Sequence, residues 1–191
     1  MKDNGIFNIL FLSNMMEEKG VYTLLEACSI LEKKKLSFSC HFVGKWSDIA
    51  QEVFYSKIKE YGIFNCVKAY GAKYGSDKLI YFKQASLFVF PTFYHNECFP
   101  VVLLEAMEQG LACIATNEGG IPDVIDEGIT GYIVEKKNAI VLADKIESLI
   151  KNPNLCRKMG EAGKKKFLEK FTLDKFENRL KDILLDVLKA D

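Results

Sequence analysis

Short apolar runs alternate with helix-length amphipathic stretches from one end of this 191-residue chain to the other, with only short turns between them. The runs are Asn8–Ser13, Phe38–Val43, Val67–Tyr70, Leu87–Phe90, Ala112–Thr116 and Gly131–Val134, each of a length and make-up that suits a buried strand. Behind Lys19-Gly20, the residues Val21, Leu24, Leu25, Cys28 and Leu31 recur at helical spacing. That helix ends in Lys33–Lys35, a basic cluster that the helix macrodipole favours without any partner. Asp48 is expected to cap a helix that runs to Tyr61 and stops at Gly62. Further helices are expected at Asp77–Ala85, Ala139–Lys151, Leu155–Phe167 and Thr172–Lys189, with a helical turn at Asp123–Asp126. The last helix carries an apolar stripe of Leu173, Phe176, Leu180, Ile183, Leu184 and Val187. A helix between each pair of strands leaves no place for hairpins, so the strands pair in parallel through crossovers. The expected fold is α/β: a Rossmann-like doubly wound parallel sheet of about six strands with helices on both faces, plus C-terminal helices.

A chain of this length supplies one full domain, read as residues 8–191 behind a linker remnant at 1–7. The 26 basic and 26 acidic residues cancel, which removes any general attraction to nucleic acid or to an anionic membrane. The six cysteines show no C-x-x-C spacing, and several sit in apolar runs as buried free thiols do. They imply a reduced, cytoplasmic protein without structural zinc. His41 and His95 are the only histidines, too few for a His-based metal site. No signal peptide and no apolar run of membrane-spanning length is visible. The fingerprints G-x-G-x-x-G, G-x-x-x-x-G-K-[ST] and G-x-S-x-G are all missing, which disfavours a nicotinamide dehydrogenase, a P-loop enzyme and an α/β-hydrolase.

The most informative stretch runs from Leu87 to Thr116. Leu87–Phe90 ends at Pro91, and Thr92–Phe99 is a polar and aromatic loop. Pro100 lacks an N–H and suits the first turn of a helix, Val101–Gln109, which Gly110 ends. Glu97 then sits at the helix entrance, and Glu105 in its second turn. The loop follows the C-terminal end of a strand, where open parallel sheets bind ligands.

In this order, Pro91, Glu97, Phe99-Pro100, Glu105-Ala106-Met107 and Gly110 resemble family 4 glycosyltransferases. These are retaining nucleotide-sugar enzymes of the GT-B fold, and their signature is a Glu, seven residues and a second Glu in this setting. The similarity runs from about Asn8 to the C-terminus and covers the second half of the usual enzyme. The resemblance implies that Lys19, in its Lys-Gly pair, contacts the donor phosphates. It implies that Glu105 accepts hydrogen bonds from the ribose hydroxyls, and that Glu97 contacts the transferred sugar as the catalytic residue. The N–H groups of Phe99, Val101 and Val102 open the helix around Pro100 and can donate to sugar or phosphate. His95 and Asn96 are within reach of the sugar, and Gly119-Gly120 lets the backbone approach a ligand closely. By resemblance the base lies near Val67, Lys68 and Gly71.

The chain departs from the pattern at three positions. Asn14 stands where the family usually has an arginine, Asp123 follows Pro122 where a glutamate is usual, and Ala112 replaces a common proline. Asn14 can donate a hydrogen bond but carries no charge, so Lys19 works alone or with Lys45 or Lys73. The residues alone also fit blander roles: a solvated lysine at 19, a dipole-favoured glutamate at 105 and a loop carboxylate at 97. No D-x-D is present, and with the family's habit this implies a metal-independent site with no cofactor beyond the nucleotide-sugar substrate.

The chain therefore reads as the donor-binding domain of a retaining transferase that uses a UDP- or GDP-sugar, in bacterial surface polysaccharide synthesis. The acceptor site would belong to a missing N-terminal domain, and any peripheral membrane contact to the full-length enzyme. In the family the last helix crosses onto that domain, so Phe167, Phe171, Phe176 and Leu184 are expected to be partly uncovered here. Two other classes remain open: a non-catalytic nucleotide-binding module, and a flavodoxin-like domain that flavin absorbance would reveal.

Overall fold

A computed structural model describes residues 5–189. Six strands form one all-parallel sheet: β1 Phe7–Leu12, β2 Phe38–Val43, β3 Val67–Ala69, β4 Leu87–Phe90, β5 Ala112–Thr116 and β6 Gly131–Val134. Their order across the sheet is β3-β2-β1-β4-β5-β6. The sheet grows outward from β1 in one direction and from β4 in the other, which is the doubly wound arrangement. β1 and β2 pair over six positions from Phe7↔Phe38 to Leu12↔Val43, whereas β1 meets β4 only at Ile9↔Leu87 and Leu10↔Phe88. The two halves of the sheet are therefore joined by its shortest register.

Every residue of β4 and β5 is buried. Successive side chains of a strand point to opposite faces, so these strands are covered on both, and their sequences read as unbroken apolar runs. The cover comes from α1 (Val21–Lys33), α2 (Gln51–Tyr61), α3 (Ser76–Gln84), α4 (Val101–Glu108), α5 (Ile121–Val124), α6 (Ala139–Lys151) and α7 (Pro153–Lys170). α1 packs against α2 and α6, and α4 against α7. A last helix, α8 (Leu173–Lys189), is exposed along its whole length and touches the domain through α7. No described helix is long and apolar enough to cross a membrane.

The six expected strands are present, with differences at their ends. β1 begins at Phe7, inside the expected linker; residues 1–4 of that linker and residues 190–191 lie outside the described residues. Asp48 does not cap α2. The helix starts at Gln51 behind Ala50, and the Asp48 carboxylate instead accepts the Glu17 N–H at 3.2 and 3.3 Å. An acceptor in one loop thus satisfies an orphan donor in another, which local spacing does not show. α7 is longer than the periodicity suggests and opens at Pro153, whose missing N–H costs nothing in a first turn. The basic end of α1 does have partners: Lys34 Nζ lies 3.1 Å from Asp144 and 2.6 Å from Glu147, both on α6.

Candidate functional site

Three loops meet at the C-terminal edge of the sheet, around the point where strand order reverses between β1 and β4. The first follows β1 and holds a single 3-10 turn, Glu17–Lys19. The second, after β4, carries Thr92 to Pro100, and the third, after β5, carries Asn117 to Gly120. Neighbouring strands whose crossovers leave in opposite directions open a crevice here, the usual ligand position in such sheets.

The first two loops are stitched together. Gly20 has left-handed backbone (φ 82°), and a Cβ there would lie 2.1 Å from the Pro91 carbonyl oxygen. The Phe93 N–H donates to the Glu18 carbonyl at 2.7 Å. These contacts bring Lys19 to Glu97: Lys19 Nζ is 2.5 Å from Glu97 Oε2, and the two side chains are only 12% and 11% exposed. The same ammonium lies 4.3 Å from the centre of the Tyr94 ring, a cation–π contact that holds the lysine from a second side. Thr92 is fully buried beneath the pair. Its hydroxyl accepts the Tyr94 N–H at 3.2 Å and has one proton to give, either to the Glu18 carbonyl at 3.2 Å or to Glu97 Oε2 at 3.4 Å. The Thr116 hydroxyl donates to the Thr92 carbonyl, tying β5 to the same loop.

Pro100 is buried and precedes α4, and no side chain caps this helix. The Val101 and Val102 N–H groups therefore have no intrahelical partner and face the crevice end with the positive pole of the helix. Val101 is exposed and Val102 half-buried. Phe99 is exposed, but its ring packs against Phe171 (centroids 6.0 Å apart) and close over Gly120. Its ring thus packs on one side and stays open on the other. Glu105 is half-buried on the second turn of α4, and Lys78 of α3 places Nζ 2.5 Å from its Oε1. His95 and Asn96 are exposed and bonded to each other at 3.0 Å, with His95 Nδ1 3.8 Å from Glu18 Oε1.

The expected residues fall into two groups. Lys19, Glu97, Phe99, Pro100, Val101, Val102 and Glu105 cluster around the β4 loop and α4. Asn14 is exposed at the start of the first loop. The base-region residues lie on or just after the edge strand, separated from β4 by two strands: Val67 is buried at the start of β3, Lys68 is exposed, and Gly71 follows the strand with its carbonyl accepting the Gly44 N–H at 2.9 Å. Lys45 follows β2, and Lys73 follows β3. Sequence reasoning missed Lys78 and Thr92. Lys78 belongs to no motif, and nothing in the chain order pairs it with a residue 27 positions away. Thr92 had one signal, a hydroxyl directly after an apolar strand and proline. Among the described residues no group of three His, Cys, Asp or Glu side chains is arranged to hold a metal ion. A mainly apolar cavity of ≈ 530 Å³ lies at the opposite edge of the sheet, between Ile6, Asn8, Gln84, Ser86, Gly110 and Arg157. It shares no residue with the three loops.

The chain is similar to known proteins over nearly its whole length. The capsular polysaccharide biosynthesis glycosyltransferase CapM of Staphylococcus aureus is 28% identical over 174 residues, 88% of this chain and 43% of that protein. The C-terminal domain of a group 1 glycosyl transferase (LpcC) from Francisella tularensis superposes with a TM-score of 0.78 at 25% identity, covering 87% of each chain. Anabaena HepE, solved in complex with UDP and glucose, gives a TM-score of 0.84 at 19% identity, over 94% of this chain and 48% of that one. The chain spans less than half the length of the curated relatives it matches. The family model for group 1 glycosyl transferases matches residues 2–166, and it leaves the flavodoxin-like alternative without support. With a doubly wound sheet and a Lys19–Glu97 pair at its switch point, this chain belongs to the group 1 glycosyl transferases.

Proposed function

We propose that the chain is the donor-binding domain of a retaining, metal-independent family 4 glycosyltransferase that takes its sugar from UDP or GDP. The observation that carries this reading is the Lys19–Glu97 pair beside the uncapped start of α4. A nucleotide sugar presents a diphosphate, a ribose and a sugar, and each needs a different partner. Lys19 and the Val101 and Val102 N–H groups suit the diphosphate, whose negative charge grows as the bond to the anomeric carbon breaks. Glu97, paired with Lys19, is assigned to the transferred sugar. Glu105 offers carboxylate oxygens to the ribose hydroxyls, and the base extends toward Lys68 and Gly71 on the edge strand.

The relatives support the setting. CapM serves capsular polysaccharide biosynthesis, and HepE was solved with UDP. By the same reading this chain serves bacterial surface polysaccharide synthesis in the cytoplasm. The acceptor is held by an N-terminal domain, without which the chain binds donor but transfers little.

Calorimetric titration with UDP, GDP, ADP and their sugar conjugates tests the proposal, beside Lys19→Ala and Glu105→Ala. Half a cleft is expected to bind near millimolar, about −4 kcal/mol. One base should be preferred, and both variants should weaken binding. Equal binding by wild type and both variants would sink the assignment of the site.

A further inference from the structure

Glu105 is not a free carboxylate. Its Oε1 is held by Lys78 Nζ at 2.5 Å, and the side chains are 28% and 26% exposed, so the pair is partly shielded from solvent. Lys78 comes from α3 and Glu105 from α4, the helices that enter and leave β4. The pair therefore braces the strand that carries the loop of Glu97. It has a second consequence for a ligand. A diphosphate entering the crevice is repelled by any uncompensated carboxylate, yet the ribose needs a carboxylate as acceptor. A lysine bonded to one oxygen resolves the conflict: it neutralises the charge and leaves Oε2 with lone pairs to accept further hydrogen bonds. The site then offers two matched pairs, Lys19 with Glu97 and Lys78 with Glu105.

We propose that Lys78 is a positioning residue for ribose recognition, fixing the Glu105 carboxylate so that Oε2 accepts from the hydroxyls of the nucleotide's ribose. This deepens the function proposed above and rests on its assignment of Glu105 to the ribose. Lys78 touches no ligand in this role. It selects one orientation of Glu105 in advance, and the nucleotide no longer has to order that side chain on binding.

The test compares nucleotides with and without the ribose hydroxyls. UDP and GDP, each beside its 2′,3′-dideoxy analogue, are titrated into the isotope-labelled chain and followed by amide chemical shifts, which read millimolar affinities and report folding at once. Wild type is expected to prefer the ribonucleotide by about tenfold. Glu105→Ala removes that preference. Lys78→Met is expected to bring the ratio to within about twofold of one while binding of the dideoxy analogue stays unchanged, and Lys78→Arg restores most of the preference. A lysine that only stabilises the fold would weaken both nucleotides equally and leave the ratio intact; that result overturns the proposal while the Glu105 assignment stands. A preference that survives Glu105→Ala overturns that assignment and this inference with it, as does failure of both ribonucleotides to bind at about 10 mM.

Discussion

A Cβ at Gly119 would lie 1.6 Å from the carbonyl oxygen of Glu97, so the β5 loop and the loop that carries the proposed catalytic carboxylate occupy adjoining space with nothing between them. The backbone at Gly119 is also left-handed (φ 50°), and the next N–H, of Gly120, donates to the Cys98 carbonyl at 2.6 Å. Any side chain at 119 must push the Glu97 loop away. Gly119→Ala is expected to cost about 1–3 kcal/mol of stability and, in the assembled enzyme, about a hundredfold in transfer through the displaced Glu97. Gly128→Ala is the matched control. It has left-handed φ (74°) and open space around the added Cβ, so it keeps only the backbone strain. Urea denaturation and a transfer assay on the pair separate strain from displacement; equal transfer by both variants would refute the coupling.

Lys19 and Glu97 are nearly enclosed and bonded at 2.5 Å, so each leaves the other uncompensated when removed. Lys19→Met is expected to destabilise the domain by about 1–3 kcal/mol, and Glu97→Gln by a similar amount. The double variant is expected to cost less than the sum, because it removes both charges together. Urea midpoints of the four proteins measure this coupling. Strict additivity would show that the two side chains do not interact in solution.

The fold was legible because the apolar runs and the helical stripes have different periods, and tight turns kept them apart. The seven-residue spacing of Glu97 and Glu105 was legible for the same reason, as both lie within one strand-loop-helix unit. What local spacing could not show is how loops from distant segments meet. Asp48 looked like a helix cap and serves the Glu17 N–H instead. Lys34 looked like a dipole-favoured helix end and bridges to α6. Lys78 carried no signal at all, since its partner is set by how α3 and α4 flank β4. The basis is the same in each case: a long polar side chain chooses the nearest complementary group in space, and chain order does not fix that choice.

His41 predicts a pH dependence of stability. It lies in β2, half-buried, with Nε2 2.8 Å from the Ser39 hydroxyl and its ring edge-on to Tyr70. Burial, helped by the nearby Lys68 charge, holds its pKa below the ordinary 6.5. The folded state thus keeps the ring neutral where the unfolded chain has taken up a proton. Above about pH 6.5 this contribution is fully present, and it is lost as pH falls through the lower folded value. Urea midpoints at pH 7.5 and 5 should therefore fall further for wild type than for His41→Gln. Identical slopes would remove His41 from the account.

The thiols divide by burial. Burial pushes Cys66 and Cys156 up to about 12 and raises Cys28 and Cys113 as well. Cys98 is exposed and adjoins Glu97. At about pH 8 a thiol reagent should react quickly with Cys98 and slowly with those four, because the thiolate is the reactive form. Saturating donor should slow the Cys98 reaction, since it lies in the proposed sugar loop. Peptide mapping of the modified protein checks both points, and rapid labelling of Cys113 would contradict the packing around β5.

The apolar stripe of α8 is fully formed and largely uncovered. Leu173, Phe176, Ile183, Leu184 and Val187 are each more than half exposed (69, 63, 60, 55 and 60%), and Leu180 is 44% exposed. They recur at three- and four-residue steps, so they line one side of the helix. An exposed apolar surface of this kind favours association, and a second copy of the chain presents an equally apolar partner. The chain is expected to self-associate through α8, with a sedimentation coefficient that rises with concentration. Replacing Ile183 and Leu184 by glutamate should hold the chain monomeric. Because α8 contributes no buried residue to the core, the same replacements should leave the Tm within about 2 °C of wild type. A chain that sediments as a monomer at every concentration would rule out α8 as a self-association surface, and a large fall in Tm would show that the helix supports the domain after all.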